Sequence, residues 1–465
     1  MKEVEKLAAK KKFKLIDAIL TVICVVFVAE AAAPVASIGN SQYFWWILMI
    51  VAFLLPYGLI SSELGTTYNG DGGMYDWIRA AYPEGKTAGR VAWYYWINFP
   101  LWMASLAVLC PDLISIITGA TLGTIPSLLI QLGFIWIVVL ISFFPAGDST
   151  WILNGGALIK VLLALIMGGL GIYGAVTHGV ANEYTLSSLL PSFDINSLSF
   201  ISVIIFNCLG FEVICTLTDS MDNPKRDIPR SIITGGIVIA AIYLFCAFGI
   251  GAAIPADQIS SDTGLLDAMM LLTGKTSGVF IAVMAVLFML TLFGNMISWS
   301  FGVNSVARYA AENHDLPQVF AKHSEKNDMP TGAAVMNGIV ASIVVIIGVV
   351  YSHFYPDSEL FWSFFALNLV LFLISYLPVF PAFLKLRKTD PDRERPFKVP
   401  GGNVMQKVLA IVPMILIVVS VIFTAVPLAF DSETLAATLP ITFGAVLFLI
   451  IGEIIIHISR KKSSV

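Results

Sequence analysis

The chain has 465 residues, of which 57% are hydrophobic and only 12% charged, and its mean hydropathy is +0.85. Soluble globular domains carry about 25% charged residues, so this composition excludes an ordinary soluble domain and points to lipid as the solvent. The net charge of -4 says little, because in a membrane the placement of charge matters more than its sum.

Apolar runs of roughly 18 or more residues recur, each able to cross ~30 Å of hydrocarbon as a helix. They are continuous rather than alternating, which excludes a membrane β-barrel. In chain order the predicted spans cover 15–38, 43–66, 88–118, 126–144, 151–174, 197–218, 230–253, 277–308, 333–351, 358–384, 406–429 and 435–458. The lysine-rich start followed by Ala31-Ala32-Ala33 imitates a cleavable signal peptide. The run from Leu15 to Ile38 is longer than a signal core, and further spans follow it. Asp71 to Pro83 carries Trp77, Ile78 and Tyr82 among charged residues, which predicts a short amphipathic helix at the cytoplasmic surface. The connections 175–196 and 254–276 are too short to fold as a soluble domain.

Cytoplasmic loops carry an excess of lysine and arginine. With both termini inside, all but two of the 27 basic residues fall in the N-terminus 1–14, the even-numbered loops and the C-terminus 459–465. The exceptions are Lys275, in an outside loop, and Lys160, within span five. The asymmetry supports twelve spans and cytoplasmic ends. Cys24, Cys110, Cys208, Cys215 and Cys246 sit singly in apolar runs, and read as packing residues rather than metal or redox ligands. No nucleophile–base constellation appears, so the chain is not expected to be an enzyme or to need a cofactor or metal.

Two spans are interrupted near their middles. Span one contains Val28-Ala29-Glu30-Ala31-Ala32-Ala33-Pro34, and span six contains Asn207-Cys208-Leu209-Gly210-Phe211-Glu212. Span one opens spans 1–5 and span six opens spans 6–10, so the breaks occupy matching places in two five-helix halves. Paired interruptions of this kind point to a transporter's midplane site. The plainer alternative is a kink at Pro34 and a close helix crossing at Gly210.

Charged residues inside spans are costly and informative. Glu30 either binds a cationic group, carries a proton, or partners a buried base or free backbone N–H groups. Glu212 poses the same choice, with capping of the broken helix as its structural alternative. Lys160 is the natural partner of Glu30 or of the carbonyls freed in span one; alternatively it titrates, because buried lysines shift readily. Among the aromatics, Trp93, Tyr94 and Trp96 open span three, Trp102 follows, and Trp362, Phe364 and Phe365 open span ten. Membrane-interface belts account for Trp45, Trp46 and most of these. Trp299 lies nine residues before Arg308, roughly 13 Å inward at 1.5 Å per residue, where it either stacks on a cation or packs in the core.

These features resemble the amino acid–polyamine–organocation superfamily over about residues 14–400. The residues carrying the resemblance are Ser62-Glu63-Leu64-Gly65-Thr66-Thr67, Gly70-Asp71-Gly72-Gly73-Met74-Tyr75-Asp76-Trp77, Gly210-Phe211-Glu212 and Asp222-Asn223-Pro224-Lys225-Arg226-Asp227-Ile228-Pro229-Arg230. Arg308 through Leu316-Pro317 and Arg395-Pro396-Phe397-Lys398-Val399-Pro400-Gly401-Gly402 complete them. The resemblance implies an all-α membrane protein of twelve helices with a LeuT-type five-plus-five inverted repeat. Its halves would be residues 15–174 and 197–384, with 406–458 adding the last two spans. It implies a substrate held at Glu30, Ala31, Ala32, Gly210, Phe211 and Glu212 of broken helices one and six, with help from Trp96, Trp299 and Phe364. Lys160 matches a fifth-helix lysine that stands in for sodium. Trp299 matches a tryptophan in the aromatic wall of arginine–agmatine exchangers.

One departure is informative. Amino acid members carry a Gly-Ser-Gly-type segment in helix one, whose N–H groups hold a substrate carboxylate. Ala29-Glu30-Ala31-Ala32-Ala33 stands there instead, and polyamine-transporting relatives also place a glutamate at this point. The leading expectation is therefore an antiporter of cationic amines, agmatine against putrescine, in the cell membrane. The alternatives are a proton-coupled amino acid importer and a non-transporting nutrient sensor. The expected partners are a small amine or amino acid and the bilayer, with no nucleic acid and a homodimer left open.

Overall fold

The computed structural model describes residues 13–28, 33–70, 72–259, 264–354, 360–428 and 432–463. Apart from a single bridge between Phe13 and Met221, the described regular structure is helical. Among the described residues, ten helices are long and apolar enough to cross a membrane. They are α2 (Ser41–Thr67), α4 (Thr87–Thr118), α5 (Thr124–Ile141), α6 (Thr150–His178), α9 (Pro224–Ala253), α11 (Val279–Glu312), α12 (Thr331–Phe354), the pair α13 (Leu360–Tyr376) and α14 (Val379–Thr389), α15 (Asn403–Ala425) and α16 (Ser432–Ser463). The two predicted spans missing from that set are the two predicted to be interrupted.

The first is α1 (Leu15–Val26), which begins where the Asp17 carboxylate accepts the Lys14 N–H at 2.9 Å. It stops at Phe27, whose backbone is extended, and the chain resumes as a short 3₁₀ turn, Pro34–Ile38. Proline at the first position of that turn gives up no hydrogen bond there. The second is α7 (Ile195–Phe206), followed by irregular backbone and the one-turn helix α8 (Glu212–Cys215). Asp194 caps α7 by accepting the Ser197 N–H at 2.8 Å. The Ser192 hydroxyl and then the Ser197 N–H hold the Asp194 carboxyl below its usual range.

Several boundaries differ from the sequence reading. α9 starts at Pro224 and α6 runs to His178, because polar residues extend helices past the hydrocarbon. The predicted span ten continues to Thr389 through a turn at Leu377-Pro378. α3 (Met74–Ala81) is the predicted short helix, but its Trp77 and Ile78 are fully buried. It is packed under α4 and α14 rather than lying on the surface. Trp46 is likewise no belt residue: it is buried and stacks on Tyr243 at 4.6 Å.

α2 contains a π turn at Ile50–Leu54 just before Pro56. Proline has no N–H to return to the carbonyl of Ala52, and widening the turn is one way a helix absorbs that loss. The core is built around α4, which packs along α11 and α13, while α9 packs along α6 and α1.

At one end of α2 lies a buried charge network that joins two motifs far apart in sequence. Glu63 accepts from Arg387 Nη2 at 2.5 Å and from the Val399 N–H at 2.7 Å, and pairs with Arg395 Nε at 3.2 Å. The Ser62-to-Thr67 and Arg395-to-Gly402 motifs are thus two halves of one lock. Nearby, Tyr68 donates to Asp390 at 3.0 Å and lies under the Arg393 guanidinium at 4.4 Å. Burial and then the Asp390 hydrogen bond push its phenol up to about 12.

Candidate functional site

The breaks of α1 and α7–α8 meet at Gly210. Its φ is +122°, a region that glycine alone enters without strain. A Cβ there would lie 2.8 Å from both Trp299 Cζ2 and Val25 Cγ1. The unwound backbone of one segment is therefore pressed between the end of α1 and the indole of α11. Trp299 Nε1 donates to the Val25 carbonyl at 2.9 Å, satisfying an acceptor at the end of α1. The Tyr243 hydroxyl of α9 accepts the Val28 N–H at 2.9 Å. Such replacements are required where a broken helix exposes backbone away from water.

Lys160 holds the same break from the other side. Its ammonium is fully buried and donates to the Cys24 carbonyl at 2.6 Å, the Asn295 Oδ1 at 2.8 Å and the Phe27 carbonyl. Of the two partners expected for it, the freed carbonyls are among the described residues. Glu30, Ala31 and Ala32 lie outside them.

Glu212 opens α8 and is fully buried. Its carboxylate accepts from the hydroxyls of Tyr95 and Tyr376, each at 2.6 Å, and from the hydroxyl of Tyr57. The three tyrosines come from α4, α13 and α2. Among the described residues no basic side chain lies within ion-pairing distance of it. A carboxylate solvated only by neutral donors keeps its full negative charge uncompensated, which is expensive in hydrocarbon unless a cation or a proton joins it.

Beside the carboxylate stands a wall of rings. Tyr95 lies 6.3 Å from Trp299, Trp299 lies 5.3 Å from Phe372 and 5.5 Å from Trp102, and Phe206 meets Trp102 at 5.1 Å and Phe372 at 5.5 Å. Phe211 stacks on Tyr57 at 5.5 Å. Two buried polar groups on this wall have no partner among the described residues, the Trp102 indole N–H and the carboxamide of Asn368. Asn368 lies three residues after Phe365 and four before Phe372, on one face of α13. Both of those rings pack on Phe206. An unpaired carboxamide oxygen beside aromatic faces suits an N–H-rich cationic guest.

Of the residues singled out from sequence, the structure brings together Gly210, Phe211, Glu212 and Trp299, with Lys160 beneath the neighbouring break. It does not bring Trp96 or Phe364 to this cluster. The ring contacts of Trp96 are with Trp93 at 5.7 Å and Phe320 at 4.6 Å. Phe364 is half-buried, and its neighbour Phe365 makes the contact with Phe206. The Trp362 side chain lies outside the described residues. Tyr57, Tyr95, Tyr376, Phe372 and Asn368 were missed, although helical spacing carried part of the signal. Tyr95 and Trp102 are seven apart, and Phe372 and Tyr376 four apart, the spacings that share a helix face.

The sequence profile of the amino acid permease family matches residues 13–453. The chain is 63% identical over 461 residues to a probable agmatine/putrescine antiporter of Lactococcus lactis subsp. lactis (strain IL1403), with 98% of each chain covered. It is 24% identical over 300 residues to a putrescine transporter of Haemophilus influenzae, covering 63% of this chain and 66% of that one. A crystal structure of a mutant manganese transporter from Eremococcus coleocola superposes with a TM-score of 0.56, covering 98% of this chain and 96% of the other. At 13% identity that likeness speaks for the fold alone. The family and these relatives are membrane transporters and not enzymes, in agreement with the sequence reading. The chain belongs to the amino acid permease family.

Proposed function

We propose that the protein is a multi-pass antiporter of cationic amines, exchanging agmatine for putrescine or close analogues across the plasma membrane. The observation that carries this reading is Glu212, a fully buried carboxylate whose described donors are all neutral hydroxyls. An ammonium or guanidinium group supplies the charge that the tyrosines do not. Trp299 and its neighbouring rings line the path of the alkyl chain, and Asn368 accepts from the far nitrogen. Glu30 serves as a second carboxylate for a second positive group. Lys160 occupies the place a sodium ion takes in ion-coupled relatives, so exchange runs without sodium.

The chain spans the membrane twelve times with both termini in the cytoplasm. Residues 15–174 and 197–384 form inverted repeats, each opening on a broken helix. The breaks at matching positions support this arrangement. Exchange follows when the loaded carrier reorients and the empty one, with an uncompensated carboxylate in hydrocarbon, does so poorly. Putrescine-loaded proteoliposomes should take up labelled agmatine, and empty ones should not. Absence of this counterflow would defeat the reading. A proton-coupled importer is the second reading, because a carboxyl with no fixed cation among the described residues is neutralised by a proton as well as by an amine. It predicts uptake into empty vesicles under an imposed pH gradient.

A further inference from the structure

An apolar groove of about 170 Å³ opens between α2 and α9. Its lining is wholly aliphatic, aromatic or glycine, with Leu55, Ile233 and Ile237 among it. Those three side chains are 54%, 42% and 67% exposed, and both walls are helices able to cross a membrane. The groove is therefore continuous with the surface that faces hydrocarbon. On the α2 side it includes Ile50 and Leu54 from the widened turn, a feature that often marks functional sites.

The floor of the groove is the ring of Phe211. A Cβ on Gly58 would lie 3.3 Å from Phe211 Cε2, and one on Gly236 3.3 Å from its Cζ. One glycine on each wall thus leaves the ring edge open to the groove. The face of the same ring stacks on Tyr57, whose hydroxyl donates to Glu212. One aromatic ring thus both lines the groove and packs on the phenol that donates to the buried carboxylate.

We propose that this groove is a binding site for one phospholipid acyl chain, and that the seated chain tunes transport by holding Phe211 against Tyr57. A lipid tail is the occupant that the surroundings favour. Water would find no polar partners in such a groove, and a peptide would bring backbone groups that nothing there satisfies. With the tail in place, Phe211 cannot tip outward between Gly58 and Gly236, and Tyr57 keeps its hydroxyl on Glu212. With the tail gone, the ring gains that freedom and the hydrogen bond loosens. The tuning rests on the amine-exchange reading; the lipid site does not.

The test uses Ala240, which lines the groove on α9, and Ala241, which is exposed but outside it. Ala240→Phe and the milder Ala240→Leu fill the groove, whereas Ala241→Phe adds equal bulk beside it. Each full-length protein is reconstituted in dioleoyl phosphatidylglycerol and, separately, in diphytanoyl phosphatidylglycerol, whose methyl-branched tails are bulkier. Native mass spectrometry counts the phospholipids retained after extraction from the dioleoyl vesicles. Wild type and Ala241→Phe should keep one more than the Ala240 variants. Their putrescine–agmatine exchange should also differ between the two lipids by roughly two- to thirtyfold, the scale of coupling carried through packed side chains. The Ala240 variants should lose that difference. Equal retention in all the proteins would overturn the site. Loss of the lipid with an unchanged dependence on tail type would overturn the link through Phe211. If no protein exchanges amines, the retention count still decides the site, and the transport reading fails separately.

Discussion

Among the described residues, two glutamates are almost completely removed from water, and they are held in opposite ways. Glu63 is 2% exposed and is met by two guanidinium groups and a backbone N–H. Glu212 is fully buried and is met by three phenols. The first is neutralised by charges built into the fold, so nothing further is needed and its role is to lock α2 to α14 and to the segment after it. The second is hydrogen-bonded by neutral donors, and its charge is left over. Burial alone therefore does not distinguish the two; the kind of partner does.

The largest effect separating the two should be on stability. Removing one member of a buried ion pair costs about 3–5 kcal/mol because its partners stay buried and charged. Glu63→Gln strands Arg387 and Arg395, and should lower the unfolding temperature of the purified protein sharply. Glu212→Gln keeps an oxygen to accept from the tyrosines, and should unfold within a few degrees of wild type. Equal losses in both would erase the distinction.

The next effect concerns the ring wall. On the amine-exchange reading, Trp299→Leu removes a ring face worth about 0.5–2 kcal/mol to a bound cation, together with the hydrogen bond to Val25. Titration calorimetry should show weaker agmatine binding. Trp96→Leu, beside Phe320, should leave affinity unchanged. An equal loss in both would mean that packing rather than stacking explains Trp299.

A smaller test addresses Lys160. If its ammonium fills the place of sodium, replacing sodium with N-methylglucamine should leave exchange rates unaltered. A rate that rises with sodium would contradict that role. A local effect lies at the start of α7, where Asp194→Ala should cost about 0.5–2 kcal/mol as a lost cap. The Asp194 carboxyl sits below its usual range. Its contribution is complete above the ordinary carboxylate range and is lost as pH falls through the depressed value. Acid titration of unfolding in wild type and Asp194→Ala should therefore converge at low pH.

The parts of the molecule legible from sequence were those carried by continuous stretches. The apolar runs announced the helices, and Pro34 and Gly210 announced the breaks, because each acts on its own local backbone. Lys160 was legible because a charge deep in an apolar run demands a partner. The tyrosine shell was not. Tyr57, Tyr95 and Tyr376 sit on three helices, and which way each hydroxyl points depends on how those helices are rotated against one another. Tyr95 was hidden between Tyr94 and Trp96, although only Tyr95 shares a face with Trp102. The Glu63 lock shows the same limit, since both of its motifs stood out but nothing local joined them.

The most direct test of the account compares agmatine binding by calorimetry in wild type, Glu212→Gln and Glu63→Gln, all kept folded at low temperature. Glu212→Gln should lose roughly tenfold or more in affinity, the scale of a hydrogen-bonded charge pair, while folded Glu63→Gln should bind as wild type does. Agmatine binding that survives intact in Glu212→Gln would contradict the account.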